Sequence, residues 1–226
     1  MLFRSIKSEQ WADEIWQMCS RDQLFFINLF CWTYDPRLVP NSTVVPFITF
    51  CFQDRVFDEL NDSIEKGLDY CTEKSRDMGA SWMFLTTMFW RWLFRDYQTF
   101  RLISRTEDLV DETGNEDSLF WKLDFMLDRL PKFLQPNVHR IHLSMTNKDN
   151  GSGFRGCSTT GDATRGGRCT AMLVDEFAAI EDDDALLSST RDVTRCRLFN
   201  STHKGTGKAF YRMTQGHIRK LRLHWP

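Results

Sequence analysis

The sequence lacks a long apolar run and a strong excess of either charge. None of its apolar stretches approaches the roughly 18 residues of a membrane span, and Arg91 and Arg95 interrupt the nearest candidate. We therefore expect no contact with a membrane. The formal net charge is −2, which excludes a general electrostatic attraction to nucleic acid, so that any contact with DNA has to be local.

Cysteine pairs, internal repeats and low-complexity tracts are also missing. The seven cysteines, an odd number, are scattered without C-x-x-C spacing, which indicates reduced thiols in a cytosolic setting. Aromatic residues, in contrast, are abundant, with 19 Phe and 8 Trp among 226 residues. A chain of this length can bury them in one large domain, or in a domain with a small appendage.

Strand-like and helix-like segments alternate along the chain. Runs typical of strands lie at 68–71, 99–104, 139–145, 171–174, 195–202 and 218–225. Helical patterns lie at 9–19, 22–32, 54–66, 82–94, 107–112, 119–134, before Thr190 and at 209–213. This alternation predicts an α/β fold, a three-layer sandwich with a mainly parallel central sheet. We interpret residues 1–45 as a small helical N-terminal appendage that packs on the core.

The segment Lys74–Ser81 (KSRDMGAS) lies between a predicted strand and a predicted helix. A strand, a tight loop and a helix form the setting of a phosphate-binding loop, whose backbone amides and helix dipole hold a polyphosphate. Against the pattern G-x-x-x-x-G-K-[ST], Gly79 and Ser81 match, whereas Ala80 replaces the lysine and Lys74 the first glycine. Alone, the match is weak, and an ordinary turn that ends in Gly-Ala-Ser is the better interpretation.

The loop also suggests roles for its individual residues. The backbone of 75–80 would hold the phosphates, and Lys74 and Arg76 would supply cations that reach the β- and γ-phosphates. The residues predicted to contact nucleotide in this loop are Ser75, Asp77, Met78, Gly79, Ala80 and Ser81. Upstream, the Gln53 amide could pair with both donor and acceptor edges of adenine, or it could be a surface glutamine near a helix start.

A second segment, Cys169–Glu176, predicts a buried strand that ends in two carboxylates. Catalytic groups belong at the carboxyl ends of parallel strands. Ser81 and Asp175 would hold Mg²⁺, with Asp175 acting through water, and Glu176 would polarise the attacking water. The alternative is a solvated helix start. The two segments together favour hydrolysis of a nucleotide, with ATP and Mg²⁺ as cofactors.

Other polar clusters have less specific meanings. His139 and His142 would point to opposite faces of a strand, so we do not expect them to bind metal. The acidic run 181–184 is predicted to cap a helix rather than to form a nuclease site. The segment 146–168, which contains Arg155, Arg165 and Arg168, could be a mobile surface hairpin, or it could offer a cation to a nucleotide in the same or a neighbouring subunit.

Together these motifs resemble the large terminase subunit of tailed bacteriophages, over roughly residues 45–226. The matching features are Lys74–Ser81 with its displaced lysine, Trp82 behind it, Gln53 upstream and Val174–Glu176 downstream. The resemblance implies further roles: an adenine-binding motif over 46–53, a nucleotide contact at Trp82, a coupling motif at Asn200, Ser201 and Thr202, and an arginine finger acting on the neighbouring subunit at Arg165.

The resemblance implies a P-loop (RecA/ASCE-like) ATPase domain over 46–226, without the C-terminal nuclease domain of the family. Such a motor pumps double-stranded DNA into a procapsid as a homo-oligomeric ring, with the portal protein and the small terminase subunit as partners. It works in the host cytoplasm, transiently at the portal vertex. The Arg and Lys side chains of 148–168 and 204–222 are candidates for gripping the DNA backbone, or they belong to ordinary solvated loops.

Two other functions remain open on the sequence. A superfamily-2-like helicase or translocase would share the ATP motifs but needs a second RecA-like lobe, and only residues 177–226 follow Glu176. A nucleotide-binding scaffold without turnover is suggested by Ala80. Glu176 argues against it, because a protein that only binds nucleotide needs no carboxylate to activate water.

Overall fold

The structure, a computed structural model, describes residues 9–38, 42–75, 78–158 and 167–223. Its α-helices are α1 (Glu9–Arg21), α2 (Gln23–Phe30), α3 (Cys51–Lys66), α4 (Ala80–Phe94), α5 (Leu119–Arg129), α6 (Asp183–Ser189) and α7 (Ala209–Gln215). Its strands are β1 (Trp32–Tyr34), β2 (Val44–Pro46), β3 (Tyr70–Lys74), β4 (Thr99–Ser104), β5 (Val138–Ile141), β6 (Ser144–Asn147), β7 (Gly153–Ser158), β8 (Ala171–Asp175), β9 (Arg197–Ser201) and β10 (Arg219–Leu223).

One eight-stranded sheet, in the order β10-β3-β9-β8-β4-β7-β6-β5, forms the middle layer. The strands from β10 to β7 are parallel, and the hairpin of β6 and β5 adds two antiparallel strands at one edge. Every residue of β8 is buried, as a strand covered on both faces requires. The predicted α/β class with a mainly parallel sheet is confirmed.

Two hydrophobic clusters lie on the two faces of this sheet. The larger contains the buried faces of α2, α3, α4 and α5, and Trp92 of α4 is fully buried within it. The smaller joins β3, β4, β8 and β9 to α6, α7 and the short 3-10 helix Phe177–Ala179. Since helices cover both faces of the central strands, the architecture is the predicted three-layer sandwich.

The N-terminal helices share the larger cluster. Phe26 and Phe30 of α2 belong to it, and the Trp90 indole of α4 donates a hydrogen bond to the Cys19 carbonyl at the end of α1 (2.8 Å). The first two helices therefore pack directly on the core, while the boundary at residue 45 stays a prediction.

The segment 139–145, predicted as a single strand, is a hairpin. β5 ends at Ile141, β6 begins at Ser144, and Leu143 between them has a φ of 56°. Apolar residues at 141, 143 and 145 alternate as though they shared one face, which concealed the turn. Because the chain reverses after Ile141, this side chain is 54% exposed whereas Met145 is buried.

The helix predicted at 107–112 is also wrong, because these residues form an irregular loop. Asp111 explains the difference: its carboxylate accepts the Leu143 amide and pairs with Arg140, so the loop is shaped by contacts with the hairpin. The segment 146–168 is not simply a surface hairpin, since β7 pairs with β4 inside the sheet.

Several predicted boundaries shift by a few residues. The helix α5 ends at Arg129 because Pro131 cannot continue it, and a 3-10 helix at Lys132–Leu134 follows. The helix α3 starts three residues earlier than predicted, at Cys51. β3 extends to Lys74, so this lysine ends the strand instead of standing in the loop.

Gly156 in β7 faces the packed side of the hairpin, and a methyl group there would lie within 3 Å of side-chain atoms of Val110, Leu143 and Phe120. We expect Gly156→Ala to lower the free energy of unfolding by about 1–3 kcal/mol, because overpacking forces neighbours out of their rotamers. Urea denaturation measures this. Gly167→Ala is the control, since nothing lies within 4 Å of the added atom. Equal stability of the two variants would contradict the packing described here.

Two features that the sequence lacks, a membrane span and paired cysteines, can be compared with the structure. Among the described residues, no helix has the length and apolar character needed to cross a membrane. All seven cysteines are free. Burial raises the pKa of the Cys157 and Cys169 thiols to about 11, so both are protonated and poorly reactive at neutral pH.

Candidate active site

Three neighbouring strands bring the predicted site residues to one edge of the sheet. β3, β9 and β8 are adjacent and parallel, so their carboxyl ends lie side by side. The register places Asn200 between Asp175 of β8 and Thr72 of β3. This is the edge at which open α/β sheets bind their ligands.

The connection from β3 to α4 is the candidate phosphate loop. Gly79 is the N-cap of α4 with a φ of 66°, a left-handed conformation that glycine adopts without strain. No side chain of a described residue caps the helix, so its first amides can bind an anion, which the helix dipole favours. Met78 and Ala80 are buried on either side of Gly79. Arg76 and Asp77 lie outside the described residues.

Ser75, at the start of the loop, is hydrogen-bonded to a neighbouring strand. Its amide donates a hydrogen bond to the Leu223 carbonyl of β10 (2.8 Å). That N–H extends the ladder between β3 and β10 and is not directed into the loop. The phosphate cradle expected over 75–80 is therefore reduced by one amide at its start.

Ser81, Asp175 and Asn200 form a connected cluster at the strand ends. The Ser81 hydroxyl donates to Asp175 Oδ2 (2.8 Å), and Asn200 Nδ2 donates to Asp175 Oδ1 (2.7 Å). Asp175 is 6% exposed and Asn200 is fully buried. One residue from each of the three predicted motifs is thus in direct contact with another.

The oxygen atoms of this cluster fit a magnesium ion. Asn200 Oδ1 is buried and has no hydrogen-bond partner among the described residues, although buried carbonyl oxygens normally find a donor or a cation. Carboxylate, hydroxyl and amide oxygens are the hard ligands that Mg²⁺ prefers, and Mg²⁺ usually binds few protein groups and keeps several waters. Ser81 and Asp175 would hold the ion, and Asn200 Nδ2 donates to both of them, which fixes their orientation.

Glu176 stands next to this cluster in a strained conformation. Its φ of 52° is unusual for a residue other than glycine, and its amide donates to Asp175 Oδ1 (3.0 Å). The carboxylate is half-exposed and pairs with Arg105 Nε (2.9 Å). Arg105 directly follows β4, the strand next to β8. The sequence showed it only as the end of a strand, but its position at the carboxyl edge could have marked it as a site residue.

The pair between Arg105 and Glu176 predicts an effect on turnover. The pair draws the Glu176 carboxylate towards Arg105, and a half-exposed ion pair contributes about 0.2–1 kcal/mol. We expect Arg105→Ala to raise phosphate release from ATP in the absence of partners by at most about fivefold. Steady-state phosphate release measures this, with Arg105→Lys as the control that keeps a cation. A fall in turnover would instead make Arg105 a cation that the reaction needs.

Two lysines lie near the cluster, and only Lys74 belongs to a sequence motif. Lys74 is half-buried at the end of β3 and forms no ion pair with a described residue. Lys122 of α5 donates to the carbonyls of Glu116 (2.9 Å) and Asp117 (2.6 Å). Burial lowers the pKa of Lys122, while the charge of Asp175 raises it and that of Lys74 lowers it. The three charged groups therefore lie within electrostatic reach of each other.

Gln53 and Trp82, both predicted to contact the nucleotide, are each held by a contact within the protein. Gln53 is 7% exposed, so it is not a surface glutamine. Its Oε1 accepts the Phe50 amide (3.0 Å) at the start of α3, and its Nε2 lies 3.9 Å from the position of a Cβ on Gly79. Trp82 packs edge-on against Phe125 of α5 (5.6 Å between ring centres). Pairing with both edges of adenine would require Gln53 to give up its bond to Phe50.

The residues after Asn200 contact both the segment that follows Glu176 and the strand that leads into the phosphate loop. Ser201 Oγ accepts the Ala178 amide (3.1 Å), just after Glu176, and donates to the Thr202 carbonyl (2.9 Å). His203 Nε2 lies 3.0 Å from Glu73, the residue before Lys74. Burial raises the pKa of Glu73. The hydrogen bond with His203 and the charges of His203 and Arg222 lower it by more, so that the pKa of Glu73 is below its ordinary value.

The remaining predicted clusters take other roles. Asp182 caps α6 by accepting the Ala185 amide (3.0 Å), Asp183 accepts the Ala209 amide (2.7 Å), and Asp184 pairs with Arg212. His142 lies 3.2 Å from Glu107. In the described part of the chain, no group of three or more His, Cys, Asp or Glu could hold a metal. Arg165 lies outside the described residues, and its role stays a prediction.

The sheet order, the loop between β3 and α4 and the carboxylates that end β8 define the fold of a P-loop NTPase of the RecA/ASCE-like class. Within this class the fold is similar to that of phage large terminases. The large terminase of bacteriophage HK97 is 16% identical over 81% of this chain and 38% of that chain, with a TM-score of 0.58. The large terminase of a thermophilic bacteriophage, in complex with ADP, is 15% identical over 78% of this chain and 45% of its own, with a TM-score of 0.58.

A third similar structure is an isolated domain. The ATPase domain of the Thermus phage P74-26 large terminase is 19% identical over 69% of this chain and 74% of that domain, with a TM-score of 0.52. The chain spans less than half the length of the first two terminases. No protein-family profile matches the sequence, and no curated protein is similar to it. At these identities, the likeness establishes the fold.

Proposed function

We propose that this chain is the ATPase part of a large terminase, which hydrolyses ATP with Mg²⁺ to move double-stranded DNA into a viral procapsid. One observation carries the proposal: Ser81 of the loop, Asp175 of the acidic strand and Asn200 of the coupling segment are hydrogen-bonded together beside Glu176. The fold shared with phage terminases supports it. The large terminase of the thermophilic bacteriophage has been seen with ADP and with ATP-γ-S.

The residues of the chain divide the chemistry among them. The first amides of α4 and the cations Lys74 and Arg76 bind the phosphates, and Lys74 takes the place of the lysine that Ala80 replaces. Mg²⁺, when bound near Ser81 and Asp175, neutralises charge that develops on the phosphate oxygens. Glu176 leaves Arg105, accepts a hydrogen bond from the attacking water and holds that water in line with the γ-phosphate. Gln53 donates from Nε2 to the base.

The coupling segment offers a route from hydrolysis to movement. Asn200 contacts the metal-binding carboxylate, Ser201 holds the residues after Glu176, and His203 contacts Glu73 beside the loop. A structural change at the γ-phosphate that moved Asp175 would therefore alter the contacts of β9 directly. In the assembled motor, a ring of these chains sits on the portal protein with the small terminase subunit, in the host cytoplasm, and Arg165 completes a neighbour's site.

Phosphate release from Mg·ATP over a range of protein concentrations tests this proposal, with and without linear duplex DNA. We expect turnover per chain to rise with concentration, because a site completed by a neighbour's arginine needs assembly. Turnover that is constant per chain would keep the ATPase and reject the arginine finger in trans. Tight ATP binding without phosphate release at any concentration, with or without DNA, would contradict the proposed activity and favour a nucleotide-binding scaffold.

A further inference from the structure

The outer strands of the sheet have one face that no described helix covers. The cluster of apolar side chains on this side of the sheet includes residues of β3, β4, β8 and β9 but none of β5 or β6. The register pairs His139 with Thr146, Ile141 with Ser144, and Ser144 with Arg155. Directly paired residues share a face, so these five side chains form one surface, which we name the open sheet face.

The open sheet face carries one arginine, Arg155, and no acidic residue. Arg155 is exposed and makes no hydrogen bond or ion pair with a described residue. Arg168 is close to it, because Arg101, the neighbour of Arg155 across β4 and β7, donates to the Gly167 carbonyl (2.9 Å). Lys148, in the turn after β6, is exposed as well. Within the described residues, none of these three cations has a partner for its side chain.

Most cations of the other basic segment, 204–222, already have partners, and the exposed Lys204 is the exception among the described residues. Five of its cations are held by carbonyls or carboxylates of the same domain: Lys208 by Ile180, Arg212 by Asp184, Lys220 by Thr214, Arg219 by Asp62 and Arg222 by Glu73. A phosphate that recruited one of them would first have to displace its partner. The sequence offered both segments as candidates for binding DNA, and the structure favours 148–168.

We propose that the open sheet face, with Arg168 and Lys148 beside it, binds the phosphate backbone of duplex DNA. The inference rests on the proposed function, since a motor needs such a contact. Unpaired cations and the hydroxyls of Ser144 and Thr146 are the groups that bind phosphates without reading sequence. The face carries no Phe, Tyr or Trp on which the bases of a single strand could stack, which favours a duplex. Because the whole chain has a net charge of −2, it does not attract DNA in general, and DNA has to bind at a local patch such as this one.

Fluorescence polarisation of a labelled duplex of about 30 base pairs, titrated with the full chain at several salt concentrations, tests the proposal. We expect a slope of log K against log salt near −3, from roughly one released counterion for each of the three cations. Arg155→Ala should weaken binding about five- to tenfold near 100 mM salt and reduce the slope by about one. Two duplexes of unrelated sequence should bind alike, because phosphate contacts carry no sequence information.

Arg21→Ala is the matched control, since Arg21 is an exposed arginine at the end of α1, a helix that packs with the opposite layer. It should leave affinity and slope unchanged. Equal binding by the wild type and the double variant Arg155→Ala/Arg168→Ala would overturn the proposal. A shift of the double variant to a smaller oligomer, with DNA binding retained, would overturn it too and assign the face to a second copy of the chain. Phosphate release by the wild type without DNA is measured separately, so failure of the ATPase and failure of this surface are different results.

Discussion

Asp175→Asn is expected to lower Mg²⁺-dependent phosphate release by at least about 100-fold, because metal-ion stabilisation of transition-state charge contributes several kcal/mol. The substitution removes the negative charge but keeps the shape of the side chain. The carbonyl of the introduced amide can still accept from Asn200 and from the Glu176 N–H, and its NH₂ group can donate to Ser81. We therefore expect the fold to persist and the loss to be specific to the reaction with metal. Phosphate release at saturating ATP, with Mg²⁺ varied, measures the effect.

Asp183→Asn is the control for this experiment. Asp183 is as buried as Asp175, and its Oδ2 accepts the Ala209 amide at the start of α7 (2.7 Å), but it lies outside the cluster of Ser81 and Asn200. Its variant should keep wild-type turnover. A metal site at Asp175 would be contradicted if Asp175→Asn and Asp183→Asn hydrolysed ATP equally fast.

Arg140→Met is expected to cause the largest loss of stability, about 3–5 kcal/mol in the free energy of unfolding. Arg140 pairs with Asp111 (2.6 Å) and with Asp124 (3.1 Å) and lies over the ring of Phe120 (4.5 Å). Asp111 is 7% exposed, so its carboxylate would remain buried without its counterion. Methionine keeps much of the apolar stem, which separates the loss of charge from the loss of packing. Urea denaturation gives the difference.

The pair between Arg37 and Asp35 provides the comparison. Its N–O distance is similar (2.8 Å), but Arg37 is exposed. Arg37→Met should therefore lower the free energy of unfolding by less than about 1 kcal/mol. The double variant Arg140→Met/Asp111→Asn should recover part of the loss, because no buried charge is then left unpaired. Similar losses for Arg140→Met and Arg37→Met would contradict the role of Arg140 as the counterion of the buried Asp111.

The fold could be predicted from the sequence where one segment carried its own signal. The apolar run 171–174 ends in two carboxylates, and it is the fully buried strand β8. The segment 82–94 is apolar on all sides, and it lies in the buried helix α4. The hairpin of β5 and β6 could not be predicted in this way, because its turn is stabilised by Arg140 and Leu143 contacting Asp111, about 30 residues earlier in the chain.

The residues of the candidate site also divide into those that a local motif identifies and those that only the fold brings to the site. Ser81, Asp175 and Glu176 belong to motifs with a fixed order of residue types, so the sequence alone identified them. Arg105 and Lys122 belong to no motif. They reach the site because β4 lies next to β8 and because α5 packs on α4. Only the sheet order and the helix packing reveal such residues, and no local sequence pattern specifies either of them.

Phosphate release by the wild type and by Glu176→Gln, with ATP affinity measured in parallel, tests the central claim most directly. We expect the wild type to hydrolyse ATP with Mg²⁺ and to stop when EDTA removes it. Glu176→Gln should bind ATP with nearly the same affinity and release phosphate at least about 100-fold more slowly, because only the group that polarises water is lost. Equal turnover by both proteins would contradict the assignment of Glu176 and, with it, the active site described here.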